Sequence, residues 1–461
     1  MNRTIAICIC LTNLLVINDE RRLNADEPKS FKIPAGPDAA ELSKLAVEYE
    51  RLSKLRHEAI KATAEGLDGG GKPSDEKLSD EEWLEAGREI DSKSLDPDAE
   101  MLPRFLEFAK SRPDSPYAFD ALFLVILRGG PHTGDVHGKP WQLKEEAIDF
   151  VWKYHANDPR LFIILGQLGG ALPSHKTEAF LKQVLDEGPT EDAQAAAAYN
   201  LARYYATLAS AHQRSQRIKQ KEKLLNFERF WRIVITPYLE THFPLNEEQN
   251  SAEIDRLLRL AGDKYSEVPA TDWKLSGPEK IFVELTPYPK TKSYGDLSRS
   301  LSFELNNIVP GKPAPEIEGT DADGKLFRLS DYKGKVVLLV FSADWCGGCV
   351  ALHPIERKLV EKYRSRPFVM LGVSRDVTVD TLKADTASGE ITWRCWWDGQ
   401  YGPIREAWNA PGIPRIILLD DKHIFQNVAF SRFTTQEEFE QAIEPLLKKV
   451  QAISTPAPLR R

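Results

Sequence analysis

"FSADWCGGCVALHPIERKLVEKY" (residues 341–363) decides the fold of the last third of this chain. Immediately before it, "KVVLLVF" (335–341) is apolar without alternation, the mark of a strand covered on both faces. After it, Leu352, Ile355, Leu359 and Tyr363 recur at helical spacing and draw one buried stripe. A strand therefore feeds a helix, and Cys346 and Cys349 sit at the junction. The first turn of a helix offers free N–H groups and the positive end of the dipole, which favour a thiolate over a thiol. In Cys-X-X-Cys pairs this lowers the first thiol to a pKa of about 3.5–7.5. Only the thiolate attacks, so Cys346 is the expected nucleophile. Cys349, one turn deeper, is the expected resolving thiol.

Working outward, "FVMLGVS" (368–374), "RIILLD" (415–420) and "IFQNVAF" (424–430) have strand length, and helices are expected near 347–364, 377–387 and 436–449. The first strands are joined by helical crossovers, as parallel pairing requires. Cys395, in "ITWRCWWDG", is expected at the end of a strand as a small buried hydrophobe. Trp393, Trp396 and Trp397 read as packing.

Upstream, the chain is helical. A helical period runs through residues 37–65, then "GLDGGGKPSDEKLSDEE" reads as a loop. From about 97 to 265, short amphipathic segments such as "YAFDALFLVIL" and "AQAAAAYNLARYYATLA" follow one another. Their connections turn on Pro113, Pro159 and Pro189, each expected to open the next helix with an acidic cap. Without the loop "GGPHTGDVHGKP" the spacing approaches that of a helix–turn–helix repeat. The segment resembles a degenerate tetratricopeptide-type solenoid, which would offer a protein partner a groove. An irregular helical domain fits equally.

With 461 residues, a net charge of −8 and 42% hydrophobic residues, the chain is a multidomain globular protein with no general attraction for nucleic acid. Arg3 and the apolar run from Ile5 to Ile17 resemble a secretory signal ending at "LNA", residues 23–25. The five cysteines include Cys8 and Cys10 inside that signal, so a mature chain keeps three, too few for a disulfide scaffold. The resulting plan is a signal peptide over 1–25, an α-helical region over 30–285, a linker over 286–307, an α/β domain over 308–448 and a tail over 449–461.

The α/β domain resembles the thioredoxin-fold thiol–disulfide oxidoreductases of the TlpA/ResA (redoxin) family. "GKPAPEIEGTDADGKLFRLSDYKGKVVLLVFSADWCGGC" matches the family's opening, with a hairpin turning on Asp323-Gly324 and Trp345 directly before the first cysteine. Pro354 matches the proline that kinks the active-site helix. "WNAPGIPRIILLDDKHIF" matches the segment of the cis-proline and places Pro414 in that role. "WWDG" with "GPIREAWN" resembles large exported planctomycete members that carry a helical N-terminal region. The resemblance implies dithiol–disulfide exchange with protein substrates. In it Cys346 attacks, Cys349 resolves, Trp345 shields the pair, and Ile413 with Pro414 positions the substrate strand. It implies no metal, flavin or nucleotide cofactor. It implies a periplasmic or cell-envelope location and a membrane thiol relay as electron donor.

Departures from the family pattern are specific. Val340 stands where relatives often bury an Asp, and Leu352 where many carry a Glu. The proton partner of Cys349 is then sought among Asp344, Glu356 and His353, the last expected as an exposed helix histidine. Arg415 follows Pro414 where a small residue is commoner. It either places a positive charge near the thiolate or points to solvent. Three rival functions fit the sequence less well. A zinc half-site lacks a second cysteine pair. A peroxiredoxin-like peroxidase lacks the proline ahead of its cysteine. A helical-repeat scaffold with a redox-regulated interaction module leaves the intact motif unexplained.

Overall fold

The computed structural model describes residues 36–65, 79, 81, 96–130, 138–220, 226–276, 282–410, 412–428, 430–431 and 434–454. The signal expected over 1–25, the loop after residue 65, the heart of "GGPHTGDVHGKP" and most of the tail lie outside them. The described chain divides into two compact units between Ser298 and Arg299.

The first unit is built on helices α1 (Pro37–Glu65), α2 (Pro97–Ser111), α3 (Pro116–Arg128), α4 (Lys139–His155), α5 (Leu161–Gly169), α6 (His175–Glu187) and α7 (Glu191–Lys219). A helix of mixed character follows, α8 (Asn226–Phe230), a π turn (Trp231–Ile235) and α9 (Thr236–His242), then α10 (Glu247–Asp263). The apolar helix α3 lies at the centre, buried from Tyr117 to Ile126 because it is hydrophobic on every face. Its one acidic residue, Asp120, is fully buried and met by Arg160 at 2.9 Å. α5 and α7 approach closely because Gly169 has no side chain. A Cβ there would lie 2.7 Å from the Asn200 carbonyl oxygen.

Two expectations are corrected in this unit. The proline-turn connections do not use acidic caps: the cap positions of α3, α5 and α7 are Ser115, Arg160 and Thr190. Only Thr190 accepts a capping hydrogen bond, from the Ala193 amide. Acidic residues sit instead in the first turn of α7, where Glu191 and Asp192 face the dipole. In addition, the residues shared between the all-helical region and the linker form an antiparallel hairpin, β1 (Pro269–Ser276) and β2 (Phe282–Ser293). Both strands of a two-stranded sheet are edges, so the prolines in β2 are tolerated there. The rest of the linker is helix α11 (Tyr294–Asn307).

The second unit is a thioredoxin-like α/β domain. Its central strand β5 (Val336–Ser342) is buried at every residue. It pairs in parallel with β6 (Phe368–Ser374) and antiparallel with β8 (Arg415–Leu419), and β6 pairs in parallel with β7 (Arg394–Trp397). The order β7-β6-β5-β8 places β5 inside. Alternate residues of β5 serve two cores. Val336, Leu338 and Val340 pack with Leu352 and Leu359, and with Phe439, Ile443 and Leu447 of the last helix (Gln436–Ser454). Val337, Leu339 and Phe341 pack with Trp396, Trp408 and Phe425 on the other face. Each such side chain contributes about 1.5–3 kcal/mol of transfer free energy. This two-sided burial is what removes the alternation from the sequence.

A short hairpin, β3 (Glu318–Thr320) and β4 (Leu326–Arg328), precedes β5, and Gly324 takes a positive φ in its turn. Asp321 at the start of that turn pairs with Arg394 on β7 at 2.7 Å. Two expectations change here as well. The described residues of "IFQNVAF" form no strand, because their backbone is split between two partners. Phe425 bonds Gly311 and Lys312, while Gln426 bonds Leu418. The active-site helix is divided into α12 (Gly347–Val350) and α13 (His353–Lys362), with Pro354 opening the second piece.

Candidate active site

The end of β5, the start of α12 and the segment before β8 lie at one edge of the sheet. Cys346 occupies the cap position of α12, with extended backbone, and its sulfur accepts the Cys349 amide at 3.2 Å. The two cysteines are joined as a disulfide, their Cα atoms 5.2 Å apart. Their burial is unequal: Cys346 is half-buried and Cys349 only 2% exposed. The first cysteine is thus the more exposed of the two.

Trp345 is half-buried beside the pair. The Arg375 guanidinium stands 6.0 Å from its ring centroid. Arg375 is itself buried and donates to the carbonyls of Gln400 at 3.2 Å and Ala410 at 3.5 Å. A fixed positive charge is therefore held next to the residue preceding the first cysteine. The Ile413–Pro414 peptide is cis. Register brings it to the same edge, since Arg415 pairs with Phe341 and β5 ends at Ser342. Arg415 neither faces the cysteines as a free charge nor points to solvent. It binds Glu304 of α11 at 3.0 Å.

Two acidic groups stand at this edge. Asp344 is exposed, and its amide donates to the buried carboxylate of Asp376 at 2.7 Å. Ser374 donates to the other Asp376 oxygen at 2.6 Å. Burial, opposed by the Ser374 bond, pushes Asp376 up to about 6, and the neighbouring Asp344 charge adds to the rise. On α13, Glu356 is buried, and burial pushes its carboxyl up to about 8 against the pull of Arg357.

His353 is also buried rather than exposed, at 2% exposure. Pro354 turns the helix so that the imidazole packs against Trp393, ring centroids 5.8 Å apart, with Nδ1 at 3.0 Å from Glu390. Cys395 is buried in β7 opposite Gly372, and burial pushes its thiol far up. Among the described residues, no group of three or more His, Cys, Asp or Glu side chains is gathered as a metal-ligand set.

Asp376 and Arg375 were missed by the sequence reading. The available signal was position: "SRD" follows β6, the strand beside the one carrying the cysteines, and its C-terminal end opens on the same edge.

Residues 309–442 match the family model described as Redoxin. The thiol-disulfide oxidoreductase ResA of Bacillus thuringiensis is 28% identical over 141 residues, covering 30% of this chain and 78% of that protein. The thioredoxin-like protein YneN of Bacillus subtilis is 27% identical, covering 32% of this chain and 87% of that protein. Among solved structures, the thioredoxin domain of a Bacteroides vulgatus thiol-disulfide oxidoreductase is 24% identical, with a TM-score of 0.27, covering 30% of this chain and 98% of that domain. The family-model match falls in the second unit.

Proposed function

The C-terminal domain of this chain is a redoxin domain of the thiol–disulfide oxidoreductase kind, and from that premise we propose that the protein exchanges its Cys346–Cys349 dithiol and disulfide with cysteine-bearing protein substrates outside the cytoplasm. In the reducing direction, the Cys346 thiolate attacks a substrate disulfide and expels one substrate thiolate. Cys349 then loses its proton and its sulfur attacks Cys346. The mixed disulfide breaks, the second substrate thiolate leaves, and the enzyme pair is oxidised by two electrons. A membrane thiol relay returns those electrons. Trp345 covers the pair, while Ile413 and Pro414 offer backbone to the substrate strand.

The observation that carries this reading is the bonded pair at a helix start, with the first cysteine half-buried and the second enclosed. That asymmetry is what attack at one sulfur and resolution by the other require. The export reading rests on the N-terminal sequence pattern. Among the described residues, no helix is long and apolar enough to cross a membrane. The helical unit is assigned to protein partners. Capture tests the function: Cys349→Ser should retain substrate proteins on Cys346 as mixed disulfides released by reductant. An exported-protein fraction that yields none would count against it.

A further inference from the structure

We propose that Glu304 is a positioning residue for the protein substrate, acting through Asn409 and Arg415 on the backbone that flanks Ile413–Pro414. This rests on the oxidoreductase reading above. It adds a residue that lies outside the redoxin match, which begins at residue 309.

Glu304 lies on α11, and its carboxylate is divided between two partners far away in sequence. One oxygen accepts the Asn409 side-chain amide at 2.6 Å, and the other accepts the Arg415 guanidinium at 3.0 Å. The ring closes because a second guanidinium nitrogen of Arg415 donates to the Asn409 carbonyl at 2.9 Å. One carboxylate thus ties together the residues on either side of the cis-proline segment. Both of its bonds are charge-assisted and stronger than neutral ones. The pair is partly enclosed, with side-chain exposures of 23% for Arg415 and 27% for Glu304, so it is screened less than an open surface pair.

Two local features show why the segment needs tying. Asn409 turns the chain at a φ of 40°, a left-handed conformation open to few side chains besides asparagine, and its side-chain amide is the one that Glu304 holds. Arg415 opposes Phe341 on β5, so its backbone is laid against the strand that ends four residues before Cys346. A shift at Arg415 passes directly to the neighbouring Pro414. The arginine after the cis-proline, a departure from the family pattern, has its partner here.

Fixing that backbone matters for a substrate that must align a peptide strand on it. It matters much less for a small disulfide, which needs only an accessible sulfur. The test uses the full-length reduced chain with two probes, insulin as the protein disulfide and dithiobis(nitrobenzoate) as the small one. Glu304→Ala should raise KM for insulin on the order of tenfold, as expected for losing charge-assisted hydrogen bonds. Reaction with the small disulfide should slow by less than about twofold, since no contact to sulfur is lost. Arg415→Ala should behave alike, and the double variant should be no worse than either single one, because they share one network.

Glu304→Gln keeps the side chain's size and should give a smaller KM increase, which preserves the comparison if the alanine variant unfolds. Unchanged KM for insulin in both Glu304 variants would overturn the assignment. So would equal slowing with both probes, which marks a merely structural role. A wild-type chain inactive on both probes would instead sink the oxidoreductase reading, and this proposal with it.

Discussion

The backbone N–H of Asp344 donates to the carboxylate of Asp376 across 2.7 Å, so the turn that presents Cys346 hangs from the residue just beyond β6. Ser374 completes the hold on the same carboxylate. Asp376→Ala leaves the Asp344 amide and the Ser374 hydroxyl without this acceptor and should destabilise the domain by about 1–3 kcal/mol. Asp376→Asn retains an acceptor and should cost less than half as much. Hydrogen exchange at the β5 amides in urea measures both. Equal losses would show that the charge, not the acceptor, secures the turn.

Glu356 gives stability a definite pH dependence. Its folded value, about 8, lies above the ordinary 4.5, so the native state holds a proton that the unfolded chain has released. Where the native state binds more protons, stability falls as pH rises. The loss begins near the unfolded value and is complete above the folded one. Each pH unit within that window is worth about 1.4 kcal/mol for one group. Glu356→Gln mimics the protonated form and should melt with the wild type at pH 4. It should melt well above it at pH 8. Parallel melting curves across that range would contradict the burial of an isolated carboxyl there.

Gly372 and Cys395 face each other across β6 and β7, and a Cβ on Gly372 would lie 2.4 Å from the Cys395 sulfur. Gly372→Ala therefore overpacks the core and should cost about 1–3 kcal/mol. Cys395→Ala removes the obstructing sulfur, so the double variant should recover most of that cost. Coupling of this sign is expected only of residues in contact. Additive losses would rule out the contact.

Cys346, Cys349 and Cys395 should alkylate in a fixed order in the reduced native chain. Cys346, half-buried with its sulfur bonded to a backbone N–H, should react first and at the lowest pH. Cys349 should follow at higher pH, and Cys395 should resist until unfolding because it is buried in an apolar core. Mass spectrometry of iodoacetamide-treated chain reads the order directly. Early labelling of Cys395 would contradict its placement.

How much of this was legible beforehand follows from what each residue depends on. The β5–α12 junction is local: a run of six apolar residues, a cysteine pair and a kink proline within one short stretch. The first core strand was recognisable for the same reason, since burial on two faces removes polar residues from it. What escaped reading was non-local. Asp376, Glu304 and Arg415 are ordinary charged residues until the sheet edge brings together chain segments far apart in sequence. His353 was misjudged because helical spacing alone does not show how Pro354 rotates the turn that carries it. The β1–β2 hairpin was hidden by prolines that exclude a central strand yet are permitted in a two-stranded sheet. "IFQNVAF" was overread for the opposite reason, its strand-like composition serving two separate backbone partners.

The central claim, that Cys346 and Cys349 form a working exchange pair, is tested most directly by insulin-disulfide reduction with a dithiol donor. The wild-type chain should turn over, and Cys346→Ser should fall to the uncatalysed rate. Turnover that survives the loss of Cys346 would contradict the account.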